Sequence, residues 1–470
     1  MIKKKPIEGY RIDAKSIIFI FLLLIIIITN LLVFLMRPYG FSQGDSWAYG
    51  YGDFRNWDQL SFTGNSLRKW PIVLINLILG NSTLQILFQS IVSTIAWSYL
   101  LLTMNKIYKN NLPINVMITI LASCQQITSW NTIQLSEAYS ISLLVLLISF
   151  ILQFRVNDSK GLKIYFILVF LLFLNTKPSN LISAIIVVGF FIVLNLKKLK
   201  LLRFNKHLVF FAILVIAYSI LLSLNQSKQK LQEEGFGITY QAAQAVSVIS
   251  NTNPKAASVT STLSNVKELT CIKDYFLDKP EVITLVLKTK CLESQEWLDK
   301  YFNSYYAKFL ISNPKYVLEL ISISLLAGNS PYSTYGGTIS ILPATLGDIY
   351  FGTRNYALRL DDYSAQNIPT EKLQINAPIF LWITTFFVIT IYTRINRARS
   401  ISNQSYQYSF FGYLFAFGVI IIISTALIVP NEWYRQTIIG QVSIFISTIL
   451  ALADISQRRQ AQLFPETNNL

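Results

Sequence analysis

The sequence predicts an all-α polytopic membrane protein of about ten transmembrane helices, with short interfacial or re-entrant helices and one large, mainly helical or irregular outer loop domain. Three observations predict it. The 470 residues are 53% hydrophobic and only 14% charged, with a mean hydropathy of +0.45, which excludes an ordinary soluble globule. Apolar runs near the length needed to cross about 30 Å of hydrocarbon recur along the chain. Lysine and arginine gather in alternate loops: 20 against five acids on the side assigned to the cytoplasm, and 20 against 19 on the other. Thus 15 of the 16 net positive charges sit on one side, the asymmetry that orients membrane proteins. It predicts that both termini lie in the cytoplasm, and it accounts for the basic balance without nucleic acid; the membrane is expected to be a plasma (inner) membrane.

The N-terminal MIKKKPIEGYRIDAKS is basic and leads into the apolar run Ile17 to Met36, which no small-residue cleavage site follows. That is the pattern of a retained signal anchor. Trp70 to Leu79 is apolar but too short to cross, and reads as a re-entrant or interfacial helix stopped at Gly80 and Asn81. Further spans are expected at Leu84 to Met104, Ile114 to Ile127, Leu135 to Phe154, Ile164 to Leu174, Asn180 to Leu196 and Leu208 to Leu224. The runs beginning at Ile114 and Ile164 are short, as where helices end against a cavity instead of facing lipid. These elements make up an N-terminal transmembrane module, 1–224. An extracytoplasmic loop domain follows at 225–376, and a C-terminal transmembrane part at 377–470 with spans at Ala377 to Thr393, Tyr406 to Val429 and Thr437 to Ala453.

Within the loop domain a helix is expected around Glu293 to Leu310. Cys271 and Cys291 bracket 19 residues. On the outer side an oxidising compartment permits a disulfide between them, and closing a loop of that size is worth about 3 kcal/mol. A metal site is disfavoured, because His207, the one histidine, lies on the other side. The stretch 316–327, like 70–80, is too short to cross as a straight helix, and NSPYSTYGG at Asn329 to Gly337 reads as a tight loop at bilayer level.

The usual nucleophilic and nucleotide-binding constellations are missing: there is one histidine, the outer cysteines are paired, and no Gly-rich phosphate cradle occurs. The chain offers instead acids and cations at the outer membrane boundary. The loop from Arg37 to Trp70 holds three carboxylates (Asp45, Asp53, Asp58), four cations (Arg37, Arg55, Arg68, Lys69), three tryptophans and three tyrosines. Rings with polar tips favour the membrane–water boundary, so this loop is expected along the bilayer surface with its acids beside lipid headgroups. A carboxylate there can take a proton from an attacking hydroxyl, typically worth about 10²- to 10⁴-fold in rate, while cations neutralise a departing phosphate.

Asp45, in GDSWAYG, follows the first span and is the leading base candidate; the alternative is an N-cap for a short helix from Ser46 to Tyr51. Tyr49 and Asp53 join it as substrate-binding candidates, although Asp53 and Asp58 can equally pair with Arg55 as surface ions. Glu137 opens a span in QLSEAYSISLL, either as a carboxylate favoured by the helix dipole or as a wall of the site. Lys177 lies in a short outer hairpin, LNTKPSN, where Asn175, Thr176, Ser179 and Asn180 supply donors suited to phosphate or sugar oxygens. The alternative there is a snorkelling lysine. Arg435 in NEWYRQ and Arg68 in GNSLRKWP complete three cations at one expected depth on three hairpins, a pattern suited to an anion.

These motifs, in this order, resemble the C-type superfamily of integral-membrane glycosyltransferases (GT-C), which use polyprenyl-phosphate sugars. Asp45 in GDSWAY is similar to the family's first-loop aspartate, and FTGNSLRKWPIVL, with Arg68, to its Arg-containing segment before the second helix. LSEAYSISLLVLL resembles the Glu-led fourth helix, NTKPSN the basic-Pro hairpin, and NEWYRQ the late Glu/Arg/Tyr turn. The chain departs from the pattern in having no adjacent acidic pair in the first loop, Lys177 where arginine is frequent, and no recognised carbohydrate module in its loop domain.

The resemblance implies a GT-C-like fold and a hexosyl- or pentosyltransferase of the cell envelope. The sugar would pass from a polyprenyl-phosphate lipid donor to a saccharide or protein acceptor on the extracytoplasmic side. Asp45 would be the general base, and Arg68, Lys177 and Arg435 the phosphate ligands, with Glu137, Tyr49 and Asp53 around the substrate. Donor sugar, acceptor and use of a divalent cation stay open, since family members differ on metal. Two rivals stand beside it. A lipid-linked sugar transporter or flippase would need paired broken helices and mid-bilayer polar groups, and a non-catalytic scaffold would tolerate replacement of Asp45 and Lys177.

Overall fold

The computed structural model describes residues 14–40, 70–108, 111–154, 159–177, 179–181, 183–185, 216–217, 220, 266–275, 280–315, 317–318, 321, 385–386, 390, 405–428 and 433–463. Among them the regular structure is helical, with no strand. Three helices are long and apolar enough to cross a membrane: Ala14–Met36, Ser82–Ile107 and Thr437–Gln457, the last within a longer helix.

Helix α1 (Ala14–Met36) buries Leu22, Ile26, Thr29, Asn30 and Val33, the spacing of one helical face. Its remaining surface is equally apolar, with Ile17, Ile20, Phe21, Leu24, Leu31 and Leu35 exposed. A helix apolar all round that is covered on one face only needs a surrounding less polar than water. Helix α2 (Trp70–Leu79) begins with Pro71 in its first turn, where a missing N–H costs nothing, and ends as the sequence predicts at Gly80. Gly80 has φ +87°, in the left-handed region where a side chain is strained, and its N–H donates to Asn76 O at 3.2 Å. Asn81 then caps α3 (Ser82–Ile107), its Oδ1 accepting from Leu84 N at 2.8 Å.

The run expected to continue from Ile114 to Ile127 stops early. Helix α4 (Leu112–Ser123) ends where Cys124 turns extended, at ψ 151°. A four-residue turn of helix, α5 (Gln125–Thr128), a 3-10 turn at Ser129–Thr132 and an extended Ile133 follow before α6 (Glu137–Gln153). The cause lies in the polar stretch QQITSWNT. Thr128 Oγ1 donates to Cys124 O, Ser129 Oγ to Gln125 O and Thr132 Oγ1 to Ser129 O, so hydroxyls compete for the carbonyls a regular ladder would use. Every residue of 124–136 except Ser129 is buried. Irregular backbone is tolerated in an apolar body only where protein covers it in this way.

Helix α7 (Lys160–Thr176) returns antiparallel to α6, capped at Ser159, whose Oγ accepts from Leu162 N at 3.2 Å. Helices α10 (Ser405–Ile428) and α11 (Trp433–Leu463) form a hairpin against this bundle. They approach most closely at Gly418 and Gly440, where a Cβ on Gly440 would lie 2.6 Å from Gly418 O. One core, including Trp97, Trp130, Phe173, Phe411, Ile438 and Phe445, joins α1, α3, α4, α6, α7, α10 and α11. Asn111, before α4, donates to Ser456 Oγ near the far end of α11. The N-terminal end of α11 therefore lies at the end of the bundle where α6 begins.

A second, smaller core belongs to the loop domain. A 3-10 segment at Lys267–Tyr275 packs with α8 (Pro280–Thr289) and α9 (Leu292–Ser312) around Leu269, Ile272, Ile283, Leu287, Leu298 and Phe302. Cys271 and Cys291 form the expected disulfide, their Cα atoms 5.8 Å apart. Helix α9 extends the run expected at Glu293 to Leu310 by one residue at its start and two at its end.

Candidate functional site

Glu137 and Lys177 meet in a buried ion pair. Lys177 Nζ lies 2.7 Å from Glu137 Oε1, with side-chain exposures of 5% and 0%. Glu137 is the first residue of α6, where a carboxylate complements the positive end of the helix, and Lys177 ends α7, where a cation complements the negative end. Two antiparallel helices thus bring opposite charges to one end of the bundle. Lys177 reaches it from extended backbone, φ −153° and ψ 137°, which turns its side chain out of the α7 spiral and across to α6.

Polar groups surround the pair. Ser140 Oγ, one turn along α6, donates to Thr176 Oγ1 at 2.8 Å, and Thr176 Oγ1 donates to Phe173 O at 2.7 Å. Asn180 Nδ2 donates to Thr176 Oγ1 at 3.0 Å and to Phe173 O at 3.2 Å, and its N–H closes the turn onto Lys177 O at 3.1 Å. Thr176 and Asn180, read from the sequence as donors for a ligand, therefore support Lys177 in this structure. Ser136 Oγ stands 3.4 Å from Glu137 Oε2.

A second polar layer adjoins this one, and sequence reasoning missed it. Asn131 Nδ2 donates to Asn30 Oδ1 at 2.7 Å, and Asn30 Nδ2 to Ile26 O at 2.9 Å. Gln89 Nε2 bridges Asn131 O and Ile133 O at 3.1 and 3.2 Å, and Gln85 Nε2 reaches Asn76 O at 2.9 Å. Gln134 Nε2 donates to Tyr39 O at 3.0 Å. The signal was present: Gln85 and Gln89 are four apart on one face of α3, and Asn30 interrupts an otherwise apolar run. Buried amides of this kind hold irregular backbone by satisfying its polar groups.

These bonds fix where the first long loop leaves the bundle. Gly40, at φ +67°, packs so closely that a Cβ there would meet the Ile86 side chain and lie 3.0 Å from Thr132 O. Tyr39 and Gly40 are thereby fastened to the segment that leads into Glu137. Asp45, Tyr49, Asp53 and Arg68 lie outside the described residues. Arg435 falls in the first turn of α11, at the same end of the bundle as Glu137; its side chain lies outside the described residues. Among the described residues no group of three or more His, Cys, Asp or Glu gathers as metal ligands would.

No protein-family model matches the chain, and neither a curated protein nor a solved structure matches it.

Proposed function

We propose that the chain is a ten-span membrane glycosyltransferase of GT-C type, transferring a sugar from polyprenyl phosphate to an acceptor at the extracytoplasmic face. The observation that carries the reading is the buried Glu137–Lys177 pair at the end of the bundle from which the first loop departs. Burying two charges costs several kcal/mol per ion before their attraction is counted, and about as much stability is available from apolar residues of the same size. Retaining the pair beside a polar, irregular segment suits a site where charge is used. In this reading Asp45 takes the proton of the acceptor hydroxyl, which attacks the anomeric carbon. The bond to the lipid phosphate breaks with inversion, and Arg68, Arg435 and Lys177 receive the phosphate, Lys177 exchanging Glu137 for it. Glu137 holds the lysine ready between turnovers, and Tyr49 and Asp53 line the substrate.

One observation favours the second reading, movement of a lipid-linked sugar across the bilayer. The break after Ser123, lined by buried amides, is the kind of interrupted helix on which transporters build their sites. A labelled polyprenyl-phosphate sugar separates the two. Product formed by the native chain in detergent and lost in Asp45→Asn, with membrane insertion unchanged, supports the transferase. Movement of the labelled lipid across vesicles without product supports the transporter, and normal turnover by Asp45→Asn removes that residue from the mechanism.

A further inference from the structure

Helix α9 carries an exposed stripe that none of the foregoing uses. Tyr301, Ser304, Lys308 and Ile311 follow one another at the i, i+3, i+7, i+10 spacing of a single helical face, and beyond the helix end at Asn313 Lys315 and Leu318 are exposed as well. All six are exposed, with Ile311 at 82% and Leu318 at 65%. From Tyr301 to Leu318 the described exposed residues include two lysines, Lys308 on this face and Lys315 beyond it, and no acid, whereas Glu293 and Glu296 stand at the opposite end of the helix. An aromatic ring with a polar tip, cations on long apolar stems and large aliphatic groups are the side chains that settle where hydrocarbon meets lipid headgroups.

The helix is also held at the right height. Tyr306, on the opposite flank, donates its hydroxyl to Leu427 O at 2.9 Å, and Leu427 packs against the loop-domain core. Leu427 lies just beyond the apolar stretch Phe411–Thr425 of α10, so α9 is fastened where that stretch ends, at the same end of the bundle as Glu137. The disulfide and the small core behind α9 hold the stripe turned outward.

We infer that this face of α9 and the exposed residues just beyond it rest on the surface of the bilayer, with Lys308 and Lys315 against the phosphates of anionic lipids and Ile311 and Leu318 in the boundary beneath them. The inference relies on the reading of the helical bundle as embedded in a membrane, but not on the transferase. The attraction of two lysines to an anionic surface is modest and attenuated by salt, so the contact orients a domain already tethered by the chain.

The native thiols make the test clean, because Cys271 and Cys291 are joined and Cys124 is buried. The full chain, carrying Ile311→Cys labelled with an environment-sensitive fluorophore, is reconstituted in phosphatidylcholine–phosphatidylglycerol bilayers. Lipid with a headgroup-attached spin label is then added, and separately aqueous iodide. Leu285→Cys, exposed on α8, and Ile95→Cys, exposed midway along α3, are labelled in parallel. Label at 311 is expected to lose most of its emission to the spin-labelled lipid and little to iodide, and label at 285 the reverse. Lys308→Gln with Lys315→Gln is expected to reduce the lipid quenching at 311, as is replacing phosphatidylglycerol by phosphatidylcholine. If label at 311 is quenched by iodide and spared by the spin-labelled lipid while 95 is shielded from iodide, the inference falls and the membrane reading stands. If 95 is open to iodide as well, the membrane reading fails with it. Shielding of 311 from both quenchers would mean that protein covers the stripe, and would equally overturn the inference.

Discussion

Glu137 and Lys177, 40 positions apart in sequence, place their charged atoms 2.7 Å apart inside the bundle. Removing one partner leaves the other charge buried, which costs about 3–5 kcal/mol, whereas removing both is far cheaper. Glu137→Gln and Lys177→Met are each expected to lower the thermal unfolding midpoint in detergent strongly. The double variant should recover much of the loss, giving a coupling energy well above zero in a double-mutant cycle. Additive losses would mean that the pair contributes no coupling.

The α10–α11 crossing depends on the absence of two side chains. At Gly418 and Gly440 a Cβ would collide with the partner helix backbone. Alanine is otherwise better than glycine in a helix by about 1 kcal/mol, so a loss on Gly418→Ala or Gly440→Ala isolates the crossing itself. Each is expected to destabilise by about 1–3 kcal/mol through overpacking. Gly412, with nothing near its missing Cβ, supplies the control: Gly412→Ala should be neutral or stabilising in the same melt.

The disulfide closes the loop domain on itself. Replacing Cys271 and Cys291 by serine is expected to cost that unit about 3 kcal/mol. Hydrogen exchange should show this as faster opening across 267–312, with the amides of α3 and α6 unchanged. Equal acceleration everywhere would show instead that the loop domain and the bundle unfold together.

Burial raises the Tyr306 phenol from its ordinary 10.0 to about 12. Folding thus favours the neutral form. The contribution is complete below pH 10, where the unfolded phenol is also protonated, and is lost as pH rises from there through about 12. The difference in tyrosinate absorbance between the native chain and Tyr306→Phe is expected to appear near pH 12. An onset near pH 10 would show that the hydroxyl is not enclosed against Leu427. The same variant should lose about 1 kcal/mol at neutral pH with the missing hydrogen bond.

What sequence alone determined is where helices begin and end when short-range chemistry decides. Gly80 and Asn81 stop α2 through contacts a few residues away, and two cysteines 20 positions apart within one polar stretch give the disulfide. Apolar content and charge asymmetry likewise bound the class of protein. The early end of α4 was not legible, since a run of apolar and hydroxyl residues satisfies a helix equally well until side chains compete for its carbonyls. Only the tertiary structure decided partnership. Glu137 and Lys177 each read as a plausible site residue on a separate hairpin, and their pairing depends on the packing of α6 against α7. The amides Asn30, Gln85 and Gln89 stand singly as interruptions in apolar runs, and Asn131 as one polar residue among several in QQITSWNT. They acquire a role only because three segments distant in sequence bury them together, where an unmet hydrogen bond costs more than in water.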